Sequence, residues 1–144
     1  MNFPLLITSD HAGFELKEEL KKYLISKGIE IIDLGTDSAD PADYPDFGHK
    51  LGRMIENHKY EWGISICGTG NGINMTSNKH KGVRAAICWN EKISEMARRH
   101  NNANICSLPA RYIDVEEAKR IVDVFLNTTF DGGRHERRIK KIDL

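Results

Sequence analysis

The chain has no surplus of charge: 21 lysines and arginines offset 21 aspartates and glutamates over 144 residues. No global field therefore favours nucleic acid or an anionic membrane surface, and any bound anion must be held by local clusters. No run approaches the ~18 apolar residues of a membrane span. The opening Met1-Asn2-Phe3-Pro4-Leu5-Leu6-Ile7 lacks the basic region and long apolar stretch of a secretory signal. Cysteine is scarce. Cys67, Cys88 and Cys106 are an odd set without metal-type spacing, the pattern of reduced thiols in a cytoplasmic protein. Repeats, low-complexity tracts and interdomain linkers are also missing. What remains is one domain, expected to meet neither nucleic acid nor membrane.

What is present is an alternation of short apolar runs and helical patterns. Residues 5–9 read as a strand, and the segment from 14 to 26 puts Leu16, Leu20, Tyr23 and Leu24 on one helical face before a stop at Gly28. Residues 29–34 form a second expected strand. Residues 35–46 are too rich in Pro, Asp and Gly for regular structure. Phe47, Leu51, Met54, Ile55 and His58 then mark a helix. Further strands are expected at 62–67, 83–89 and 103–108, and helices near 74–78, 91–100 and 115–126. The tail, 132–144, reads as a glycine breaker followed by a basic helical end. Strands separated by helices require crossover connections. The expected fold is a single-domain, three-layer α/β/α Rossmann-like arrangement on a five-stranded parallel sheet, in the common order 2-1-3-4-5.

In such sheets the loops at the carboxyl ends of strands line the ligand crevice. Two of them carry chemistry: "SDHAGF" at 9–14 and "CGTGNG" at 67–72. With strands one and three adjacent, Asp10, His11 and Cys67 converge. Gly68, Gly70 and Gly72 have the wrong spacing and follow the wrong strand for a dinucleotide fingerprint. A P-loop lysine is absent. A cysteine phosphatase needs arginine at the sixth position after the cysteine, where Ile73 stands. Two readings stay open: a tight turn behind a buried thiol, or a nest of amides facing a phosphate or developing enolate. Asp10 suits a helix N-cap or a polar ligand. Arg134 and Arg138, four apart behind Gly132-Gly133, share a helix face. Lys79, His80, Lys81, Arg137, Lys140 and Lys141 read as surface charge, His49 and His58 as structural, and Cys88 and Cys106 as core.

Six segments, "SDHAGFELK", "DYPDFG", "ICGTGNGIN", "NKHKGVRAA", "RRHNNANI" and "GGRHERRI", occur in an order that resembles the ribose-5-phosphate isomerase B and galactose-6-phosphate isomerase family. The resemblance runs from residue 7 to about residue 139. It implies an aldose–ketose isomerase that works without metal or cofactor through a cis-enediolate. Cys67 would be the base between C1 and C2, assisted by Thr69, with the amides of Gly68, Gly70, Asn71 and Gly72 holding the enediolate oxygens. His100 would open the furanose ring. Asp10, His11, Tyr44 and Asn101 match sugar-contacting positions, and Arg111, Arg134 and Arg138 positions that bind substrate and phosphate. Pro109 departs from the glycine many relatives carry on the approach to Arg111, which bears on the path of that side chain. The family further implies a homodimer or dimer of dimers with shared sites, segment 132–144 reaching the partner. It implies ribose 5-phosphate and ribulose 5-phosphate as substrates, in the non-oxidative pentose phosphate pathway. The alternatives are a six-carbon sugar phosphate (allose 6-phosphate or galactose 6-phosphate) or a non-catalytic phosphosugar-binding protein.

Overall fold

Leu5, Leu6 and Ile7 are apolar in succession, as suits a strand covered on both faces. They open β1 (Leu5–Ser9), which is buried throughout. The computed structural model describes residues 4–144; the first three residues of the amino-terminal stretch considered above lie outside it. After β1 come α1 (Phe14–Ser26), β2 (Ile31–Asp33), α2 (Tyr44–Glu56), β3 (Gly63–Cys67), α3 (Asn71–Ser77) and β4 (Ala85–Ile87). Then follow α4 (Glu91–Asn101), β5 (Ile105–Pro109), α5 (Val115–Asn127) and α6 (Arg134–Ile139).

All five strands are parallel, in the order β2-β1-β3-β5-β4. The expected order 2-1-3-4-5 is therefore wrong at one edge, where β5 and β4 exchange places. The physical reason lies in the residues. Every residue of β5 is buried, whereas the three residues of β4 are only half-buried, as suits a short edge strand. The exchange seats the end of β5 against the end of β3, with Cys67 in register with Pro109.

Side chains alternate across the sheet. Leu5, Ile7, Ile64, Ile66, Cys106 and Leu108 pack with α1, α4 and α5 on one face. Leu6 and Ile105 pack with Leu51 and Ile55 of α2 on the other. By the same alternation Ser65 and Cys67 point to the side of α2 and α3, where Ser65 and Ser107 share a 2.8 Å hydrogen bond.

The loop after β2 is drawn over the end of β1 by backbone bonds. The amide of Ser9 donates to Gly35 and that of Thr36 to Ser9, both at 2.9 Å, and Thr8 Oγ1 donates to the Gly35 carbonyl at 2.8 Å. Two expectations for this region are corrected. Tyr44 is not in an irregular loop but begins α2, since proline is tolerated in a first helical turn, where its missing amide has no partner to lose. His80 is not a surface charge. Its ring is largely buried, Nε2 2.8 Å from His49 Nδ1 and Nδ1 2.8 Å from Glu56 Oε2. Gly52 on α2 makes the room: a Cβ there would stand 2.8 Å from His80 Cγ.

Candidate active site

Cys67 ends β3 and is buried. The chain then turns through Gly68, Thr69 and Gly70 into α3. Gly70 caps that helix with φ 77°, a left-handed conformation that favours glycine, and a Cβ on it would press on the Leu108 backbone. First-turn amides of a helix have no intrahelical acceptor. The Asn71 amide is taken by Thr69 Oγ1 at 3.2 Å, so this exposed threonine shapes the loop it belongs to. The loop is thus an amide-lined entrance to a helix directly above a buried thiol.

Neighbouring strands deliver the other groups. Arg111 follows β5, and its amide donates to the Gly68 carbonyl at 3.0 Å, one step beyond the Ala110 to Cys67 bond of 2.9 Å. Pro109 does not divert this path, because the amides of Ala110 and Arg111 carry the pairing. The Arg111 guanidinium lies over Gly68, where a Cβ would stand 3.1 Å from Nη1. The Tyr44 ring lies against Gly72 so closely that no Cβ fits between them. From the end of β1, Asp10 Oδ1 accepts the Gly13 amide at 3.1 Å, a cap-like role, and His11 Nδ1 sits 3.1 Å from the amide and the carbonyl of Ala42. Asp10, His11, Tyr44, Cys67, Gly68, Thr69, Gly70, Asn71, Gly72 and Arg111 therefore share one end of the sheet.

The remaining candidates do not join them within one chain. His100 and Asn101 end α4, ahead of the first residue of β5, whereas Cys67 pairs with its last. The length of β5 alone separates the two levels by roughly 13 Å. Around His100 a second cluster forms. His135 on α6 stacks on it, ring centroids 4.4 Å apart and 12° between planes. Arg99 Nε holds both oxygens of Asp131 at 3.2 Å. Burial, then the positive charges of His100, Arg134 and Arg138, hold the His135 pKa below its ordinary value. His135 and Asp131 are members that the sequence reading missed; the adjacency of His135 to Arg134 was its only trace.

One group among the described residues has metal-ligand chemistry: His100, Asp131 and His135 place ligand atoms within 4.8 Å of one another. The Arg99 contact already occupies Asp131, and the nearby guanidinium groups oppose a cation. Among the described residues, no helix is long and apolar enough to cross a membrane.

A parallel sheet bearing a cysteine, an amide-lined helix entrance and an arginine at one end defines a class of α/β proteins that handle small anionic substrates at the carboxyl ends of their strands. The family model for Ribose/Galactose Isomerase matches residues 5–142, and the chain belongs to that family. It is 43% identical to a probable ribose-5-phosphate isomerase B of Mycoplasma pneumoniae, across 99% of this chain and 94% of that protein. A crystal structure of a ribose 5-phosphate isomerase from Thermotoga maritima superposes with a TM-score of 0.96 at 51% identity, covering 99% of both chains. Ribose-5-phosphate isomerase B from Mycoplasma genitalium, solved with bound ribulose-5-phosphate, gives 0.93 at 43% identity over 99% of this chain and 95% of that one.

Proposed function

We propose that this sugar-phosphate isomerase interconverts ribose 5-phosphate and ribulose 5-phosphate, with Cys67 as the base. The observation that carries the reading is the position of Cys67 beneath the glycine-rich entrance to α3, beside Arg111. A hydrogen next to a carbonyl is weakly acidic, so its removal needs a base and stabilisation of the charge that develops on oxygen. Cys67 Sγ takes the proton from C2 and returns it to C1. The amides of Gly68, Gly70, Asn71 and Gly72 hold the enediolate oxygens meanwhile, and Thr69 steadies the loop. One such base contributes about 10²–10⁴-fold and one oxyanion donor about 10²–10³-fold. Asp10, His11, Tyr44 and Asn101 contact sugar hydroxyls. Arg111, Arg134 and Arg138 grip the phosphate, which guanidinium groups can do through two oxygens at once. His100 opens the furanose ring.

His100, Asn101, Arg134 and Arg138 stand at the wrong end of their own sheet for this chemistry. They serve the Cys67 of a second copy, whose segment 132–144 reaches back in turn, so the working unit is a homodimer or a dimer of such dimers. Exposed Met75 on α3 and Trp89 after the edge strand β4 offer apolar surface for that contact. The place of the reaction is the non-oxidative pentose phosphate pathway.

The test is proton NMR of ribose 5-phosphate with the purified protein in D₂O containing EDTA. Ribulose 5-phosphate is expected to form. A folded protein that binds the pentose phosphate and makes no ketose overturns the assignment. Turnover of allose 6-phosphate or galactose 6-phosphate would then mark a six-carbon enzyme, and none at all a binding protein.

A further inference from the structure

At the amino end of the sheet, opposite Cys67, Trp62, Arg84, Arg98, Asn102 and Asn104 line a cavity of about 420 Å³. Small-molecule sites span roughly 300–1,000 Å³. Arg98 is only 6% exposed, yet every oxygen it donates to is neutral. These are Asn102 Oδ1 at 2.9 Å, the Ala103 carbonyl at 2.5 Å and the Thr128 carbonyl at 3.2 Å. Its Nη2 has no hydrogen-bond partner among the described residues. Arg84 repeats the pattern: Nε donates to the carbonyls of Asn101 and Asn102 at 3.1 and 3.0 Å, and Nη1 to that of Gly82 at 3.5 Å.

A buried charge is ordinarily paired with an opposite one. Here two cations face one cavity, with no carboxylate within 4 Å of either among the described residues. Burial pushes the Arg98 pKa down to about 10, and the like charge of Arg84 adds to the fall. Burial lowers that of Arg84 too, against the pull of Asp143 and Glu136. Glu61, the acidic residue in the lining, is exposed at the rim. The Trp62 ring packs on the Arg98 guanidinium, Cζ 4.1 Å from the ring centroid, which holds the group in place. Two guanidinium groups held in place by neutral oxygens, neither carrying an opposite charge, suit an oxyanion that approaches their remaining N–H groups.

We propose that this cavity binds a small oxyanion, a phosphate group free or esterified, between Arg84 and Arg98. The site stands apart from the isomerisation reading. Trp62 and Trp89 are the two tryptophans of the chain, so Trp89→Phe leaves Trp62 as a reporter in the cavity wall. Arg134→Gln and Arg138→Gln, added to it, remove phosphate bound in the manner proposed for the substrate. Inorganic phosphate titrated into this triple variant is expected to give a saturable change in Trp62 fluorescence, half-complete on the order of 1 mM or below. Adding Arg84→Gln should weaken it about 10–100-fold, the loss of charged hydrogen bonds.

Asn102→Asp tests the site in a second way. Asn102 has φ 45°, a conformation aspartate tolerates, and the new carboxylate would sit on Arg98. It should abolish the phosphate response without lowering the melting temperature in phosphate-free buffer. Equal response to phosphate and glycerol 3-phosphate would identify the free ion as ligand, and a tighter response to the latter an ester. No saturable change in the triple variant, or one that survives Asn102→Asp in a folded protein, overturns the proposal. Neither result touches the isomerase assignment, which ketose formation decides separately.

Discussion

At the scale of single residues, Cys67 and Gly72 separate chemistry from shape. Cys67 is a small buried side chain at a strand end, so removing its sulfur leaves little to repack. Cys67→Ala is expected to lower kcat by about 10²–10⁴-fold while KM and the melting temperature stay close to the parent; a ketose assay beside thermal unfolding checks this. Gly72 is the opposite case. A Cβ there would overlap the Tyr44 ring, so Gly72→Ala must displace the ring or the start of α2. It should destabilise by about 1–3 kcal/mol, as overpacking does, and raise KM. The effects should be non-additive with Tyr44→Ala, since residues in contact couple. A double-mutant cycle in urea reads the coupling, and additive losses would mean the ring does not depend on Gly72.

At the scale of elements, α1 and β2 are joined by a charged cluster. Lys17, fully buried, and Lys21 both donate to Asp33 Oδ2, at 2.6 and 2.7 Å, while Oδ1 accepts the Gly35 amide at 2.9 Å. Burial raises the Asp33 pKa, but the bonds from Lys17, Lys21 and Gly35 outweigh it and hold the carboxyl below its usual range. The contribution is therefore fully present above the unfolded carboxyl value of about 3.9. It is lost as pH falls through the lower folded value. Asp33→Asn leaves Lys17 buried without its counter-charge. The cost at pH 7 should lie toward the lower end of about 3–5 kcal/mol, because Asp33 is partly open to solvent. Urea unfolding at pH 7 and pH 3 should show the gap between variant and parent narrowing in acid. The same cluster anchors Gly35, whose backbone leads the chain toward His11 and Tyr44, so part of the site rests on it.

At the scale of the whole molecule, the candidates fall into two clusters at opposite ends of one sheet, which the proposed shared site of a dimer would reunite. Cys67→Ala and His100→Ala should each be nearly inactive alone. Mixed under conditions that exchange subunits, a heterodimer carries one site with both defects and one with neither. Random exchange into two-fold dimers should thus restore about a quarter of parental activity. No recovery despite demonstrated exchange would place both residues in the same chain's site, or remove His100 from the chemistry.

The alternation of elements, the bounds of α1 and the position of the two candidate loops after β1 and β3 were legible in the residues themselves, because periodicity and turn chemistry are local properties of the chain. The motifs likewise marked Cys67, Tyr44, His100 and the arginines one by one. Tertiary structure decided what local pattern cannot carry. It placed β5 rather than β4 beside β3, since burial of whole strands selects the neighbour, and so set Arg111 against the glycine loop. It drew His80 into contact with His49 and Glu56 through the space left by Gly52, and stacked His135 on His100. It also set His100 and Cys67 at opposite levels of the sheet: α4 runs back along the strands, so a helix end and a strand end close in sequence logic lie far apart in one chain.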